Sequence, residues 1–159
     1  MGSPTNREIE RKFLVRSDGW KNLAPGTRLR QGYLSSSHHA TVRVRSAGDV
    51  GFLTVKGTRS GISRTEYEYE IPVADANFMI ESLCDQRMVE KTRYRIEHEG
   101  LVWEVDEFHA DNAGLVTVEV ELQREDQPFS KPDWVGRDVS MEVRYANSSL
   151  AERPYRDWR

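Results

Sequence analysis

The hexapeptide Glu-Ile-Glu-Arg-Lys-Phe at residues 8–13 indicates the fold of the chain. Its apolar residues Ile9 and Phe13 fall at odd positions, while two glutamates and a lysine occupy the even ones. A period of two is typical of a β-strand that buries one face. The other face of such a strand usually mixes small, polar and charged side chains. Here it carries three charges in succession, and the rest of the chain repeats this feature.

Eight segments alternate in this way. The predicted strands are Glu8–Val15, Arg28–Leu34, Thr41–Ser46, Phe52–Lys56, Arg64–Ile71, Val89–Glu97, Leu101–Phe108 and Leu115–Leu122. The joins at residues 47–50, 57–61 and 98–100 are short and contain glycine. Such joins favour antiparallel hairpins between neighbouring strands.

Helical spacing predicts one longer helix over Ala74–Arg87. Asp75 is its expected N-cap, because an aspartate side chain can accept hydrogen bonds from the free amides of the first turn. The apolar residues at helical spacing are Phe78, Met79, Leu83 and Met88. Short helical segments are expected around Asp133–Val139 and Asn147–Arg153, where proline and glycine interrupt the strand pattern.

Charges of both signs recur on the second face of all eight strands. The bases at these positions are Lys12, Arg28, Arg30, Arg43, Arg45, Lys56, Arg64, Lys91, Arg93 and Arg95. The acids are Glu8, Glu10, Glu66, Glu68, Glu70, Glu104, Asp106, Glu119 and Glu121. On an open sheet they would form cross-strand pairs in water, worth about 0.2–1 kcal/mol each. Eight strands also suffice to close a barrel around one small ligand. We therefore expect a mainly β (α+β) fold, a closed eight-stranded antiparallel β-barrel with a few covering helices and a charged bore.

Composition narrows the class of protein. The 159 residues fit a single domain over residues 1–159, with its core at about 8–151. A net charge of −3 argues against nucleic acid or a membrane surface as a partner. One cysteine excludes an internal disulfide, and no apolar run is long enough for a membrane span or looks like a signal peptide. We expect a cytoplasmic protein.

The charged face also indicates a kind of ligand. Arginine and lysine rows suit a polyanion, because buried cations need an anion or a partner. Paired carboxylates, such as Glu8 with Glu10 and Glu119 with Glu121, would repel that polyanion. They are hard oxygen ligands that suit Mg²⁺ or Mn²⁺, and such an ion also binds phosphate oxygens. A metal between carboxylates and phosphates reconciles the two sets of charges.

The ordered motifs resemble those of the CYTH superfamily, the triphosphate tunnel metalloenzymes, and most closely its short bacterial inorganic tripolyphosphatases. The resemblance rests on the Glu-x-Glu-x-Lys motif at residues 8–12 and on six further motifs, at residues 29–34, 43–45, 53–56, 64–68, 90–94 and 118–121. It spans about Glu8 to Ala151 and implies an antiparallel tunnel that binds triphosphates with a divalent metal.

The resemblance also implies roles for individual residues. Glu8, Glu10 and Glu121 would hold the metal, with Glu119 close by. The residues that would grip the triphosphate are Lys12, Arg43, Arg45, Lys56, Lys91 and Arg93, and the inward pattern adds Arg30. Lys12, Glu66, Glu68 and Asp106 are the candidate catalytic residues, the three acids holding a second metal or positioning water. Arg144 would close one end of the tunnel.

The expected reaction is hydrolysis of tripolyphosphate to pyrophosphate and phosphate with Mg²⁺ or Mn²⁺. A class IV adenylate cyclase and a thiamine or nucleoside triphosphatase remain alternatives within enzymes. A non-catalytic polyphosphate-binding module is an alternative outside them. A monomer and a homodimer are both compatible with the sequence.

Overall fold

The computed structural model describes residues 6–158, so residues 1–5 and Arg159 of the predicted domain lie outside the described residues. Nine strands are present: β1 Arg7–Val15, β2 Gly26–Ser36, β3 Ala40–Ala47, β4 Val50–Gly57, β5 Ser63–Ile71, β6 Met88–His98, β7 Leu101–Phe108, β8 Val116–Glu121 and β9 Val135–Asp138. Two α-helices are present, α1 Val73–Ser82 and α2 Asn147–Glu152. Short 3-10 turns lie at Ala110–Asn112, Val143–Tyr145 and Tyr155–Asp157.

The first eight strands close on themselves. Every neighbouring pair is antiparallel, in the order β1-β5-β4-β3-β2-β6-β7-β8, and β8 pairs back with β1. The predicted closed eight-stranded antiparallel barrel is therefore confirmed. Its eight predicted strands are all present, and the joins at residues 47–50, 57–61 and 98–100 are hairpins.

β9 was not predicted. The segment Asp133–Val139 was expected to be helical, but residues 135–138 pair with β1 as an extra strand, with Val15 opposite Val135. The pattern in this segment is weak, because a four-residue strand is too short to show alternation.

The main apolar core lies outside the barrel wall. Phe13, Trp103 and Val118 are almost fully buried in one cluster, on the face opposite the charged residues of β1, β7 and β8. Trp20 and Trp134, from the segments that follow β1 and precede β9, cover this face. Burying this apolar surface stabilises the fold while the inner faces of the strands stay polar.

Helix α1 covers the outer face of β2, β3 and β4. It begins at Val73 and ends at Ser82, so the predicted range Ala74–Arg87 was too long. Pro72 stands at the N-cap with no side-chain cap, and Asp75 lies in the first turn rather than at the predicted cap. The chain approaches the sheet closely, since a Cβ at Gly51 would lie 2.8 Å from that of Ala76.

The predicted apolar face of this helix was partly wrong. Ala76 and Ile80 pack against Val44, whereas Phe78 and Leu83 are 63% and 54% exposed. Ala76 and Ile80 are four residues apart and share one face of the helix, whereas Phe78, two residues from each, lies on the opposite side and Leu83 follows the helix end.

The C-terminal segment closes one end of the barrel. Helix α2 confirms the helical prediction for that region, and its Leu150 packs with Tyr145 against Val89 and Phe108. Val89 and Phe108 share their strand faces with Lys91 and Asp106, so this cluster occupies the inner side of the wall.

Within residues 6–158, no helix is both long and apolar enough to cross a membrane.

Candidate active site

Inside the barrel lies a cavity of about 280 Å³ with a charged lining. The lining residues are Glu8, Glu10, Arg43, Arg45, Phe52, Lys56, Glu66, Glu68, Arg93, Arg95, Glu104, Glu119, Glu121 and Asn147. All strands of the barrel except β2 contribute a charged side chain to this lining or to the layer directly behind it. The alternation seen in the sequence therefore delivers charge to the bore, as expected for a strand period of two.

Lysine and arginine side chains are held by the carboxylates of neighbouring strands. Lys56 Nζ lies 3.0 Å from Glu8 Oε1 and 3.3 Å from Glu66 Oε2. Arg43 Nη2 lies 3.4 Å from Glu68 Oε2, and Thr54 donates a 2.7 Å hydrogen bond to the same oxygen. These bonds fix the directions of long side chains inside the cavity.

A second group of charged pairs connects the lining residues Arg93 and Glu119 to Lys12, Lys91 and Asp106 behind them. Arg93 binds Asp106 with two parallel hydrogen bonds of 2.8 and 2.9 Å, and Lys91 Nζ lies 2.8 Å from the same carboxylate. Lys12 Nζ lies 3.2 Å from Glu119 and donates to the carbonyl of Tyr145 at 3.0 Å. Lys91 and Asp106 are fully buried, which makes this pairing obligatory.

The pKa values of these buried charged groups depend on burial and on their partners. Burial lowers the pKa of Lys91 to about 7, with Asp106 opposing the shift and Arg93 adding to it. Burial acts in the opposite direction on Asp106, but Arg93 and Lys91 outweigh it and bring the pKa of that carboxyl to about 2. Burial likewise lowers the pKa of Lys12, but Glu119 outweighs it and leaves the pKa raised.

The four carboxylates of the predicted metal site lie together. Burial, followed by repulsion from Glu119 and Glu8, raises the pKa of Glu10 well above its usual range. Burial also raises the pKa of Glu121, helped by Glu8. For Glu119, burial is outweighed by Lys12 and other cations, which hold its pKa well below the usual range. Hydrogen bonding with the Glu10 carboxyl adds to this lowering of the Glu119 pKa.

This donor set fits a divalent cation. The carboxyls of Glu8, Glu10, Glu119 and Glu121 are close enough to shift one another's pKa values, and such mutual repulsion is what a bound cation relieves. Among residues 6–158, no three His, Cys, Asp or Glu side chains already converge in a geometry that could hold an ion. Lys56 contacts Glu8 and Lys12 contacts Glu119, so each ammonium group occupies carboxylate oxygens that an ion would need.

Glu66 and Glu68 project from β5 into the same cavity. Burial raises the pKa of Glu66 to about 7, and the neighbouring Glu8 adds to the shift. Because β5 pairs with β1, the two carboxyls of β5 lie beside the predicted metal residues Glu8 and Glu10.

Two predicted site residues lie elsewhere. Arg30 is on the outer face of β2, where its Nη2 lies 3.6 Å from Glu81 of α1. The reason is register: Gln31 lies directly opposite the inward Arg45, so its neighbour in sequence must face outward. Arg28 shares the outer face and pairs with Glu90. The placement of Arg28 and Arg30 in the bore was wrong.

Arg144 also lies outside the lining. Its guanidinium stacks 4.6 Å from the ring centre of Trp158 and 5.1 Å from that of Tyr145, on the exposed side of the C-terminal segment. The predicted closure of one end by Arg144 was wrong. The apolar cluster around Tyr145 and Leu150 performs that closure instead.

Sequence reasoning missed three polar residues of the site. Asn147 lines the cavity and accepts a 3.0 Å hydrogen bond from Lys91. Gln31 and Thr54 are fully buried on the inner faces of β2 and β4, bonded to arginines. The alternation of β2 offered a signal for Gln31, since Gln31 and Tyr33 continue the face of Leu29. Arg28 and Arg30 on the other face of β2 made that face the predicted inner one.

A family model described as "CYTH domain" matches residues 6–155. The chain belongs to the CYTH domain family. This confirms the resemblance drawn from the ordered motifs, and membership implies a divalent metal cofactor.

The chain is similar to curated and solved members of this family. It is 52% identical over 153 residues to an inorganic triphosphatase of Acetivibrio thermocellus, covering 96% of this chain and 98% of that one. It is 41% identical over 150 residues to an inorganic triphosphatase of Nitrosomonas europaea, covering 91% and 96% respectively. A solved structure of an inorganic triphosphatase superposes with a TM-score of 0.66 at 37% identity, covering 91% of this chain and 97% of that chain.

Proposed function

We propose that this protein is an inorganic triphosphatase, which hydrolyses tripolyphosphate to pyrophosphate and phosphate inside the barrel. The observation that carries this proposal is the lining itself, in which rows of arginine and lysine stand opposite a cluster of carboxylates in one enclosed cavity. The relatives at 52% and 41% identity are named inorganic triphosphatases, which supports the same reaction.

The cationic side chains bind the phosphate chain in this proposal. Arg43, Arg45, Lys56 and Arg93 line the cavity, and each guanidinium can present two parallel N–H groups to a phosphate. Lys12 and Lys91 stand behind them and supply positive charge from the wall. Positioned cations of this kind offset the charge that gathers on the leaving group during phosphoryl transfer.

Glu8, Glu10, Glu119 and Glu121 would hold the metal, which we propose to be Mg²⁺ or Mn²⁺ because all four donors are hard oxygens. When bound, such an ion stabilises charge on phosphoryl oxygens and lowers the pKa of a coordinated water. Glu66 and Glu68 face the carboxylate cluster from β5 and can accept hydrogen bonds from a water molecule. Asp106 acts behind the lining by orienting Arg93 and Lys91.

The remaining expectations belong to the same proposal. We propose a single domain, cytoplasmic location, a small-molecule triphosphate as the partner and no nucleic acid or membrane partner. The carboxylate cluster argues against a purely anion-binding module, since a site for anions alone would be weakened by four acids.

One experiment tests the function. Phosphate release is measured from tripolyphosphate, pyrophosphate, ATP and thiamine triphosphate, each with Mg²⁺, Mn²⁺ or a chelator. We expect release from tripolyphosphate that depends on the metal and exceeds release from the other three. Cyclic AMP from ATP would indicate a cyclase, and preferred release from thiamine triphosphate would indicate that substrate. Tripolyphosphate binding without turnover in either metal would overturn the enzymatic proposal.

A further inference from the structure

β2 is the one barrel strand whose inner face, among the residues described, carries no charge. Leu29, Gln31 and Tyr33 lie on this face, since Gln31 and Tyr33 stand opposite Arg45 and Arg43 of β3 in the register. Gln31 and Tyr33 are almost fully buried. The contacts of these neutral side chains indicate why the inner face of β2 differs from the rest of the bore.

Gln31 holds the guanidinium of Arg45. Its Oε1 accepts two hydrogen bonds from Arg45, 3.1 Å from Nε and 2.9 Å from Nη2. Its Nε2 donates a 2.9 Å hydrogen bond to the Tyr33 hydroxyl, which fixes which end of the amide faces the arginine. An arginine has five N–H donors, so three remain for another acceptor.

The other cations at the site have carboxylate partners. Arg43 pairs with Glu68, Lys56 with Glu8 and Glu66, and Arg93 with Asp106 and Glu104. Lys12, Lys91 and Arg95 pair with Glu119, Asp106 and Glu104 in the same way. Among the lining cations in the described part of the chain, only Arg45 has no carboxylate oxygen within 4.0 Å of its guanidinium.

We propose that Gln31 is a positioning residue that orients Arg45 toward a phosphoryl group of the substrate while leaving its positive charge uncompensated. A glutamate at this position would fit the same space and make the same two hydrogen bonds, but it would neutralise the arginine before substrate arrives. A neutral amide acceptor gives the orientation without this cost. The inference rests on the proposed triphosphatase function and deepens it.

The electrostatics of Arg45 agree with this role. Burial, followed by repulsion from Arg43 and Arg93, lowers its pKa to about 9, which leaves it protonated near neutral pH. Repulsion between neighbouring cations is relieved when a ligand brings negative charge beside them, so such a ligand binds more tightly. The titratable groups that act on it are Arg43 of the same strand, Arg93 of β6, Asp106 of β7 and Tyr33 of β2.

The test compares Gln31→Glu with Gln31→Met and with Gln123→Glu. Gln123 is exposed, so its glutamate adds the same net charge outside the cavity. For Gln31→Glu we expect a melting temperature equal to or above that of the wild type. We expect KM for tripolyphosphate to rise about 10-fold or more, with kcat within about 3-fold. Gln31→Met removes orientation without adding charge, so its KM should rise by a smaller factor. Gln123→Glu should match the wild type.

Binding measured without turnover separates the two proposals. Calorimetric titration of tripolyphosphate in the presence of a chelator should show the same loss of affinity in Gln31→Glu. If both variants keep KM and affinity within twofold of the wild type, Gln31 has only a structural role and the inference is wrong, while the triphosphatase proposal stands. If Gln31→Glu does not fold, an unchanged KM in Gln31→Met overturns the inference. Wild-type protein that binds no tripolyphosphate overturns both.

Discussion

At the scale of single residues, the site is built from pairs of opposite charge whose members come from different strands. Glu8 of β1 meets Lys56 of β4, and Glu119 of β8 meets Lys12 of β1. A metal and a polyphosphate would have to exchange these internal partners for new ones. Substitutions of the carboxyls should therefore separate effects on turnover from effects on folding.

Glu10→Gln should abolish metal-dependent turnover while the fold survives. Burial and repulsion from Glu119 and Glu8 raise the pKa of Glu10, so a neutral amide of the same size removes that repulsion and should leave the melting temperature within a few degrees of the wild-type value. Loss of a direct metal ligand should reduce phosphate release by more than about 100-fold. The exposed Glu97, changed to glutamine, provides the control. Near-normal release by Glu10→Gln would show that the metal assignment is wrong.

Arg43→Gln and Arg30→Gln should differ sharply, although both remove one arginine from neighbouring strands. Arg43 lines the cavity, and losing a charge-assisted hydrogen bond to phosphate should raise KM about 10- to 100-fold. Arg30 makes only an exposed contact with Glu81, which is worth about 0–1 kcal/mol, so KM should stay within about twofold. Steady-state kinetics on tripolyphosphate compares them. Equal effects of the two substitutions would contradict the observed register of β2.

At the level of secondary-structure elements, the sequence predicts the strands well, but it predicts poorly which face of β2 turns inward. Eight strands follow from alternation, because one face of each had to be apolar to cover the wall from outside. Period two gives no information about which face turns inward when both faces of a strand carry a charge or a polar group. This explains the error at Arg30, where cross-strand register with Arg45 decides the outcome.

The local spacing of apolar residues does not predict features that depend on packing between distant segments. The buried face of α1 was misassigned because Ala76 and Ile80 face the sheet, whereas Phe78 lies on the opposite side of the helix. β9 forms because β1 has a free segment that pairs with Val135, and nothing within residues 133–139 reveals that partner. Asn147 belongs to the site only because α2 folds back onto the end of the barrel.

Helix α2 should be needed for stability through Leu150, which is almost fully buried against the apolar cluster that closes the barrel end. Leu150→Ala should reduce the free energy of unfolding by about 2–5 kcal/mol. Turnover should fall as well, because α2 carries Asn147, which bonds Lys91. Urea denaturation and phosphate release measure the two effects. Val143→Ala, at a side chain in the same segment that is 77% exposed, should change neither.

At the scale of the whole molecule, stability depends on charges that are enclosed rather than solvated. Asp106 shows this dependence most directly, since its carboxylate binds both Arg93 and Lys91 without exposure to solvent. Its pKa is about 2 in the fold, below its ordinary value of 3.8. A depressed carboxyl pKa stabilises the folded state above the unfolded pKa and stops doing so as pH falls through the folded one.

The free energy of unfolding should therefore fall by about 2 kcal/mol from Asp106 alone as pH decreases from about 4 to about 2. Asp106→Asn should lack this part of the decline and should be less stable by about 3–5 kcal/mol at neutral pH, because Arg93 loses its partner. Urea denaturation at several pH values measures both. The exposed Asp126→Asn should behave as the wild type. A stability profile of Asp106→Asn that parallels the wild type between pH 4 and 2 would contradict the assignment.

The placement of the apolar core outside the wall has a consequence for how such a protein can change over evolutionary time. The first set of strand positions faces outward and forms the apolar core, whereas the second set faces inward, contacts the ligand and must keep its enclosed charges paired. Lineages can then alter the ligand by exchanging residues of the second set, with the first set inherited intact. Diversification of chemistry in this architecture would therefore be recorded in the inward positions, wherever the replacement still pairs the enclosed charges.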